Sequence, residues 1–247
     1  MDHTTFIDHL EVEIGRLNTI ASGNLTIAVP SCPGWDLAKL IGHVGRVERM
    51  VLGVVPTGAM EPVHPDSLES PPPAPDDLRA YFRTGAARLV AELRSKSPDA
   101  PAWNFMGTSP IVAFWSRRQA HEHAVHRWDA ESAVGAVTPV DSDLAVDGVD
   151  EYFEIANARV LPRKPDFTLG GTVHLHATDA AGEWMLTSTP GGIAVSHAHG
   201  KGDAAVRGTA SDLLLGLWGR LDLTAHGRFE HFGDHSIVKA LATIGGN

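Results

Sequence analysis

The sequence predicts an α+β protein of two domains, an N-terminal helical bundle over 1–162 and a smaller C-terminal α+β domain over 163–247. Three observations predict it. Apolar residues recur at three- and four-residue steps through most of the first 160 positions. Near 161–168 that period gives way to the two-residue alternation of strands. The 247 residues are 43% hydrophobic, enough for one large or two ordinary cores.

In the first helix, Phe6, Leu10, Ile14, Leu17 and Ile20 mark one face between Thr5 and about Ser22. Two prolines and a glycine in Val29-Pro-Ser-Cys-Pro-Gly-Trp35 then force a tight connection. A second helix starts at once: Leu37, Leu40, Ile41, Val44, Val47 and Val51 repeat the spacing, with Asp36 suited to the positive first turn. Pro56 to Pro75 reads as a long surface loop, ended by Asp76 and Asp77 as caps of a third helix running to about Arg94. The fourth begins near Ser109-Pro110, with proline at the first helical position, and ends at Gly135. Asp141 to about Val160 is a fifth. Beyond Pro165, strands are expected at 172–178, 183–189, 193–197 and 204–207, the first two as a hairpin, followed by a helix over 211–221.

Charge and composition narrow the function classes. Lys and Arg number 20 against 30 Asp and Glu, a net charge of −10, so no bulk positive field gathers nucleic acid. No apolar stretch approaches the roughly 20 residues of a spanning helix, so no membrane partner is expected. The N-terminus lacks a signal-peptide pattern, and the single cysteine, Cys32, excludes an internal disulfide; a cytoplasmic location is the expectation.

The 14 histidines direct attention to metal chemistry. Within the fourth helix, Trp115, Arg118, Glu122, His126 and Asp129 form one stripe, polar where a bundle core should be apolar. Polar groups buried without partners cost about 1–3 kcal/mol each, so the stripe requires a metal, a ligand or water. Glu122 and His126, four apart, can bind one ion. The metalloprotease pattern His-Glu-x-x-His fails because Val125 stands at the second histidine position. His43 in the second helix, on a face with Leu40, Val47 and Met50, offers a third ligand and completes a three-ligand site with an open fourth position. On spacing alone, a Glu/His pair is more often a solvated helix face, and a lone histidine more often a core residue. His121 and His123 fall off the stripe and read as surface residues, although His123/His126 is a competing pair, and Arg127/Glu131 reads as an exposed ion pair worth tenths of a kcal/mol. His174, His176, His197 and His199 alternate along strands, either as exposed histidines or as a second metal site.

Three stretches carry a family resemblance: Val29-Pro-Ser-Cys-Pro-Gly-Trp-Asp-Leu-Ala-Lys-Leu-Ile-Gly-His43-Val, Arg118-Gln-Ala-His-Glu122-His-Ala-Val-His126-Arg-Trp-Asp-Ala-Glu, and Val206-Arg-Gly-Thr-Ala-Ser-Asp-Leu-Leu-Leu-Gly-Leu-Trp-Gly-Arg220. Together they resemble the mycothiol-dependent maleylpyruvate isomerase family over nearly the whole chain. The resemblance implies a DinB-like four-helix bundle joined to a sterol-carrier-protein-like domain. It also implies a divalent metal, usually zinc, on His43, Glu122 and His126, with mycothiol as thiol cosubstrate and a catalytic arginine matched to Arg220. Arg220 reads alternatively as a helix cap or a partner of Asp212 or Asp222.

The implied chemistry is attack by a metal-bound thiolate on a small, maleylpyruvate-like electrophile, ending in isomerisation or in thiol transfer. Arg118 is a second candidate for holding a carboxylate or cofactor, and Asp129 for fixing the His126 tautomer. Cys32, with no neighbouring base in sequence, reads as a small turn residue rather than a nucleophile. A non-catalytic metal or small-ligand binding protein and a thiol-independent metal hydrolase are the alternatives.

Overall fold

The computed structural model describes residues 1–245 and divides into two compact units, Met1–Thr138 and the remainder from Pro139. The first is a four-helix unit of α1 (His3–Ala21), α2 (Leu37–Leu52), α3 (Pro75–Ser95) and α4 (Val112–Val134). Helix α1 lies chiefly against α4, and α2 against α3. The Asp2 carboxylate caps α1 by accepting from the Thr5 N–H at 2.8 Å, and Asp36 caps α2 through the Lys39 N–H at the same distance. Gly45 lets α2 approach α3: a methyl there would sit 2.7 Å from the Tyr81 ring.

Two helix starts differ from expectation. Pro75 takes the first position of α3, so Asp76 and Asp77 lie inside its first turn, favourable to the helix dipole but not capping it. Helix α4 begins at Val112 because Pro101 and Ile111 form an isolated antiparallel bridge, which holds Pro110 outside the helix. Gly135, at φ 70°, ends α4 in the left-handed conformation.

Helix α4 is enclosed on almost every side, which overturns three sequence expectations. His121 and His123 are buried, not surface residues. His123 faces Glu48 of α2, Nε2 to Oε1 at 3.2 Å, while its other nitrogen meets the Gln119 carbonyl at 2.9 Å. The Arg127/Glu131 pair is buried as well, because Glu13 of α1 faces it: Arg127 donates to Glu13 at 2.6 Å and to Glu131 at 2.9 Å. An opposing carboxylate on another helix, invisible in local spacing, makes burial of this guanidinium tolerable.

The second unit is built on a five-stranded sheet in the order β3-β2-β1-β4-β5, from β1 (Thr172–Ala177), β2 (Glu183–Thr189), β3 (Gly192–Ser196), β4 (Ala204–Gly208) and β5 (Glu230–Gly233). Only β1 and β4 run parallel; the other neighbours are antiparallel. Val173 and Leu175 of β1 face the core with Trp184, Leu186 and Val206, and helices α6 (Ala210–Leu217) and α7 (His235–Ala242) supply Leu213, Leu214, Val238 and Leu241.

Helix α5 (Ser142–Ile155) belongs to this second unit, so the division falls at 138/139 rather than the expected 162/163. Its Leu144, Val149, Tyr152 and Phe153 are buried, and it packs on α6. Its Asp150 carboxylate accepts from the Trp184 indole N–H at 2.7 Å. Asn157, in the π-helical turn Ala156–Val160 that follows α5, exchanges both of its amide hydrogen bonds with Ile193 of β3. The last strand and helix, β5 and α7, were not expected from sequence: β5 is four residues long, and α7 spans only eight, although its buried Ile237, Val238 and Leu241 keep the helical spacing. No described helix is long and apolar enough to cross a membrane.

Candidate metal centre

The turn at Val29–Asp36 and the facing sides of α2 and α4 build the site. The Val29 N–H donates to the Trp35 carbonyl at 2.9 Å across a turn closed by Gly34 at φ 79°, which seats Ser31, Cys32 and Trp35 beside α4. From α2, His43 points its Nε2 at Glu122 Oε1, 3.2 Å away. From α4, His126 points its Nε2 at the same oxygen, 3.3 Å away. One ligand atom from each of the three residues falls within 4.8 Å of the others. A tetrahedral ion with ligand distances of about 2.0–2.1 Å separates neighbouring donors by about 3.3 Å, so the Glu122 contacts already have the spacing of a metal polyhedron.

Supporting contacts fix each donor. Asp129 Oδ2 accepts from His126 Nδ1 at 2.9 Å, which orients the ring and turns Nε2 toward Glu122. Ser31 Oγ donates to the other Asp129 oxygen at 2.6 Å, and the Cys32 thiol lies 3.6 Å from Oδ2. Arg118 Nη2 donates to Glu122 Oε2 at 2.7 Å, leaving Oε1 to the two imidazoles. The Trp35 indole covers both histidines, with centroids 5.1 Å from His43 and 6.4 Å, nearly parallel, from His126.

The electrostatics follow from this crowding. Burial raises the Glu122 pKa, but the His126 charge and hydrogen bond, His43 and Arg118 outweigh it and hold the carboxyl well below its ordinary range. Burial lowers the His126 pKa, yet the Glu122 charge and the Asp129 hydrogen bond carry it up to about 9 in the metal-free chain. A concentrated negative charge facing two imidazole nitrogens is the environment a divalent cation replaces protons in. The donor set therefore fits zinc or a similar borderline ion.

The site opens on one side. The His43 side chain is 38% exposed, and beside it a cleft of about 370 Å³ is lined by Trp35, Lys39, Arg46 and the Pro71–Pro73 segment. The charged side chains lining it are cationic, which suits an anionic ligand.

The chain matches two family models: the mycothiol maleylpyruvate isomerase N-terminal domain over residues 15–131, and the C-terminal domain of the same family over 143–237. The chain belongs to the mycothiol maleylpyruvate isomerase family. Among solved structures it is similar to a crystal structure of the mycothiol-dependent maleylpyruvate isomerase, at 16% identity over 94% of this chain and 93% of that one, with a TM-score of 0.64. A second structure of that enzyme, carrying one His-to-Ala substitution, matches at 16% identity over 90% of each chain with a TM-score of 0.62. No curated protein matches. These likenesses extend the family's two-domain α+β fold to this chain.

Of the residues singled out from sequence, the structure brings together His43, Glu122, His126, Asp129 and Arg118. Trp115, assigned to the same stripe, instead packs with Phe105 and Phe114 and donates its indole N–H to the Trp103 carbonyl. Arg220 lies in the second unit just after α6, half-buried, with Nη1 donating to the Trp218 carbonyl at 2.9 Å. Asp212 takes Arg228 at 3.0 Å, and Asp222 takes the Thr224 hydroxyl and N–H. Sequence reasoning missed the roles of Ser31, Trp35 and Pro71–Pro73. The first two lie inside the stretch that carries the family resemblance, whereas nothing in the proline-rich loop signals that it returns to α2.

Proposed function

We propose that this protein is a metal- and mycothiol-dependent isomerase acting on maleylpyruvate or a closely similar small unsaturated keto acid. The supporting observation is the convergence of His43, Glu122 and His126 on one point, in a chain belonging to this family. The chemistry a divalent ion supplies when bound there is to hold a coordinated thiol as its thiolate at neutral pH, where a free thiol of pKa near 8.5 is only a few per cent ionised.

The residues of the chain have separate tasks. His43, Glu122 and His126 hold the ion. Asp129 keeps the proton on His126 Nδ1, so that Nε2 presents a lone pair, and Arg118 holds Glu122 Oε2, leaving Oε1 to the two imidazoles. Trp35 packs against both imidazoles and limits their movement. Lys39 and Arg46 bring positive charge to the adjoining cleft, where a carboxylate of the substrate would enter. Arg220, which the family resemblance matches to a catalytic arginine, is proposed as a permanent cation able to bind a carboxylate bidentately.

The reaction balances without an external reagent. The mycothiol thiolate adds to one alkene carbon, forming a C–S bond as the π pair moves to the conjugated carbonyl. The former double bond rotates. The electron pair then returns, the C–S bond breaks, and the thiolate leaves the trans isomer behind. Retention of the C–S bond, with a proton taken up at the neighbouring carbon, would make the same first step a thiol transfer.

The test is to follow the loss of maleylpyruvate absorbance with and without mycothiol, and to assay Arg220→Lys beside it. The proposal expects turnover only with thiol, catalytic in thiol, and a KM raised more than tenfold in the variant. Equal turnover without thiol would replace it with the hydrolase reading.

A further inference from the structure

On the sheet of the second unit, His174 and His176 of β1 stand two residues apart and so project from the same face. Glu183, at the start of β2, pairs directly across from His176 in the antiparallel register, and His199 comes from the connection after β3. The four side chains meet. Glu183 Oε1 lies 2.8 Å from His176 Nδ1 and 3.0 Å from His199 Nδ1, and Glu183 Oε2 lies 3.7 Å from His174 Nε2. One donor atom from each residue lies within 4.8 Å of all the others. His197, which the alternation grouped with the other three, instead faces Asp150 at 3.4 Å; Glu183 completes the set.

From these positions we infer a second metal site, a divalent transition ion of the zinc type held by His174, His176, Glu183 and His199. His174 is 7% exposed, and its buried Nε2 has no hydrogen-bond partner among the described residues. Leaving such a group unsatisfied costs about 1–3 kcal/mol, and a cation facing its lone pair removes that cost. Neutral His176 and His199 can each donate their Nδ1–H to Glu183, but His174 Nε2, 3.7 Å from Glu183 Oε2, is left without a hydrogen bond among the described residues. A divalent ion takes up all four donors.

Three nitrogens and one carboxylate exclude an oxygen-seeking ion such as calcium or magnesium and match zinc, with its close relatives cobalt and nickel. The observed separations of 2.8, 3.0 and 3.7 Å between Glu183 and the three imidazoles bracket the roughly 3.3 Å edge of a tetrahedral site. With four protein ligands the site is closed. Its role is structural: it ties the connection after β3 to the β1–β2 hairpin, much as a crosslink would.

The site is independent of the His43/Glu122/His126 centre, and the test separates them. Zinc bound per chain is counted by competitive dialysis on the untagged full chain, in the wild type, His43→Ala/Glu122→Ala, His199→Ala, and the three substitutions combined. The His199 side chain is 81% exposed, so its removal leaves the fold intact, which circular dichroism checks. The proposal expects the double variant to retain one equivalent and the triple variant to bind it at least tenfold more weakly. Cobalt in the double variant should show the intense visible bands of a tetrahedral ion. One equivalent in the wild type that is lost in His199→Ala and kept in the double variant would uphold this site and refute the first. A double variant that binds no zinc, or an affinity unchanged by both His199→Ala and His176→Ala, would overturn it.

Discussion

His126 and Asp129, one helical turn apart on α4, meet through Nδ1 and Oδ2 at 2.9 Å, and this contact decides which imidazole nitrogen faces Glu122. The carboxylate is itself held by the Ser31 hydroxyl at 2.6 Å, so the Val29–Asp36 turn controls a donor three elements away in sequence. Asp129→Asn should keep the bundle folded but weaken metal binding 10- to 100-fold, the usual loss when a supporting carboxylate is removed. Chelator competition on the purified variant checks it; an affinity within twofold of the wild type would remove Asp129 from the site.

Proton competition gives the pH dependence. His126 titrates near 9 in the metal-free chain, so at neutral pH its proton must leave before the nitrogen can ligate. Apparent metal affinity should rise about tenfold per pH unit between about 7 and 9 and flatten above. The metal-free protein should do the reverse. A raised histidine pKa stabilises fully below the unfolded value near 6.5, and that stabilisation is lost as pH climbs through about 9. Urea melts of chelated and metal-loaded protein at pH 6.5, 7.5 and 8.5 should therefore diverge as pH rises.

The buried guanidinium of Arg127 lies between Glu13 and Glu131, and its removal strands two carboxylates. Arg127→Ala should destabilise by about 3–5 kcal/mol, the range for breaking a buried ion pair from one side. A loss of a few tenths, as an exposed pair would give, is the contrary result. Chemical denaturation distinguishes the two.

Gly45→Ala tests the α2–α3 contact. A methyl 2.7 Å from the Tyr81 ring forces the two helices apart and should cost about 1–3 kcal/mol. Thermal melts would show it, with metal stoichiometry unchanged because His43 lies on a different face of the helix.

Much of this was readable in the chain because each signal was local. The apolar steps of α1 and α2, the acidic Asp36 at the start of α2, and the i, i+4 pair Glu122/His126 are all properties of short windows. What was not readable depends on partners distant in sequence. Arg127 looked exposed because Glu13 lies on another helix, 114 residues away. His123 looked exposed because Glu48 waits on α2. Helix α5 follows the bundle helices with the same apolar period, and its packing on α6, with Asp150 meeting Trp184 and Asn157 meeting Ile193, reveals that it belongs with the sheet. The strand histidines showed an alternation, but the carboxylate that unites them enters through the register of β1 with β2.

The measurement that bears most directly on the central claim is the rate of mycothiol-dependent maleylpyruvate isomerisation as zinc is added back to chelated protein, in the wild type and in Glu122→Ala. The account predicts that chelated wild type is inactive, that activity returns with metal, and that Glu122→Ala stays at least 1,000-fold down at saturating zinc, about 4 kcal/mol of lost transition-state stabilisation. Full activity in the chelated wild type, or recovery of Glu122→Ala to within tenfold of it, would contradict the assignment of this centre.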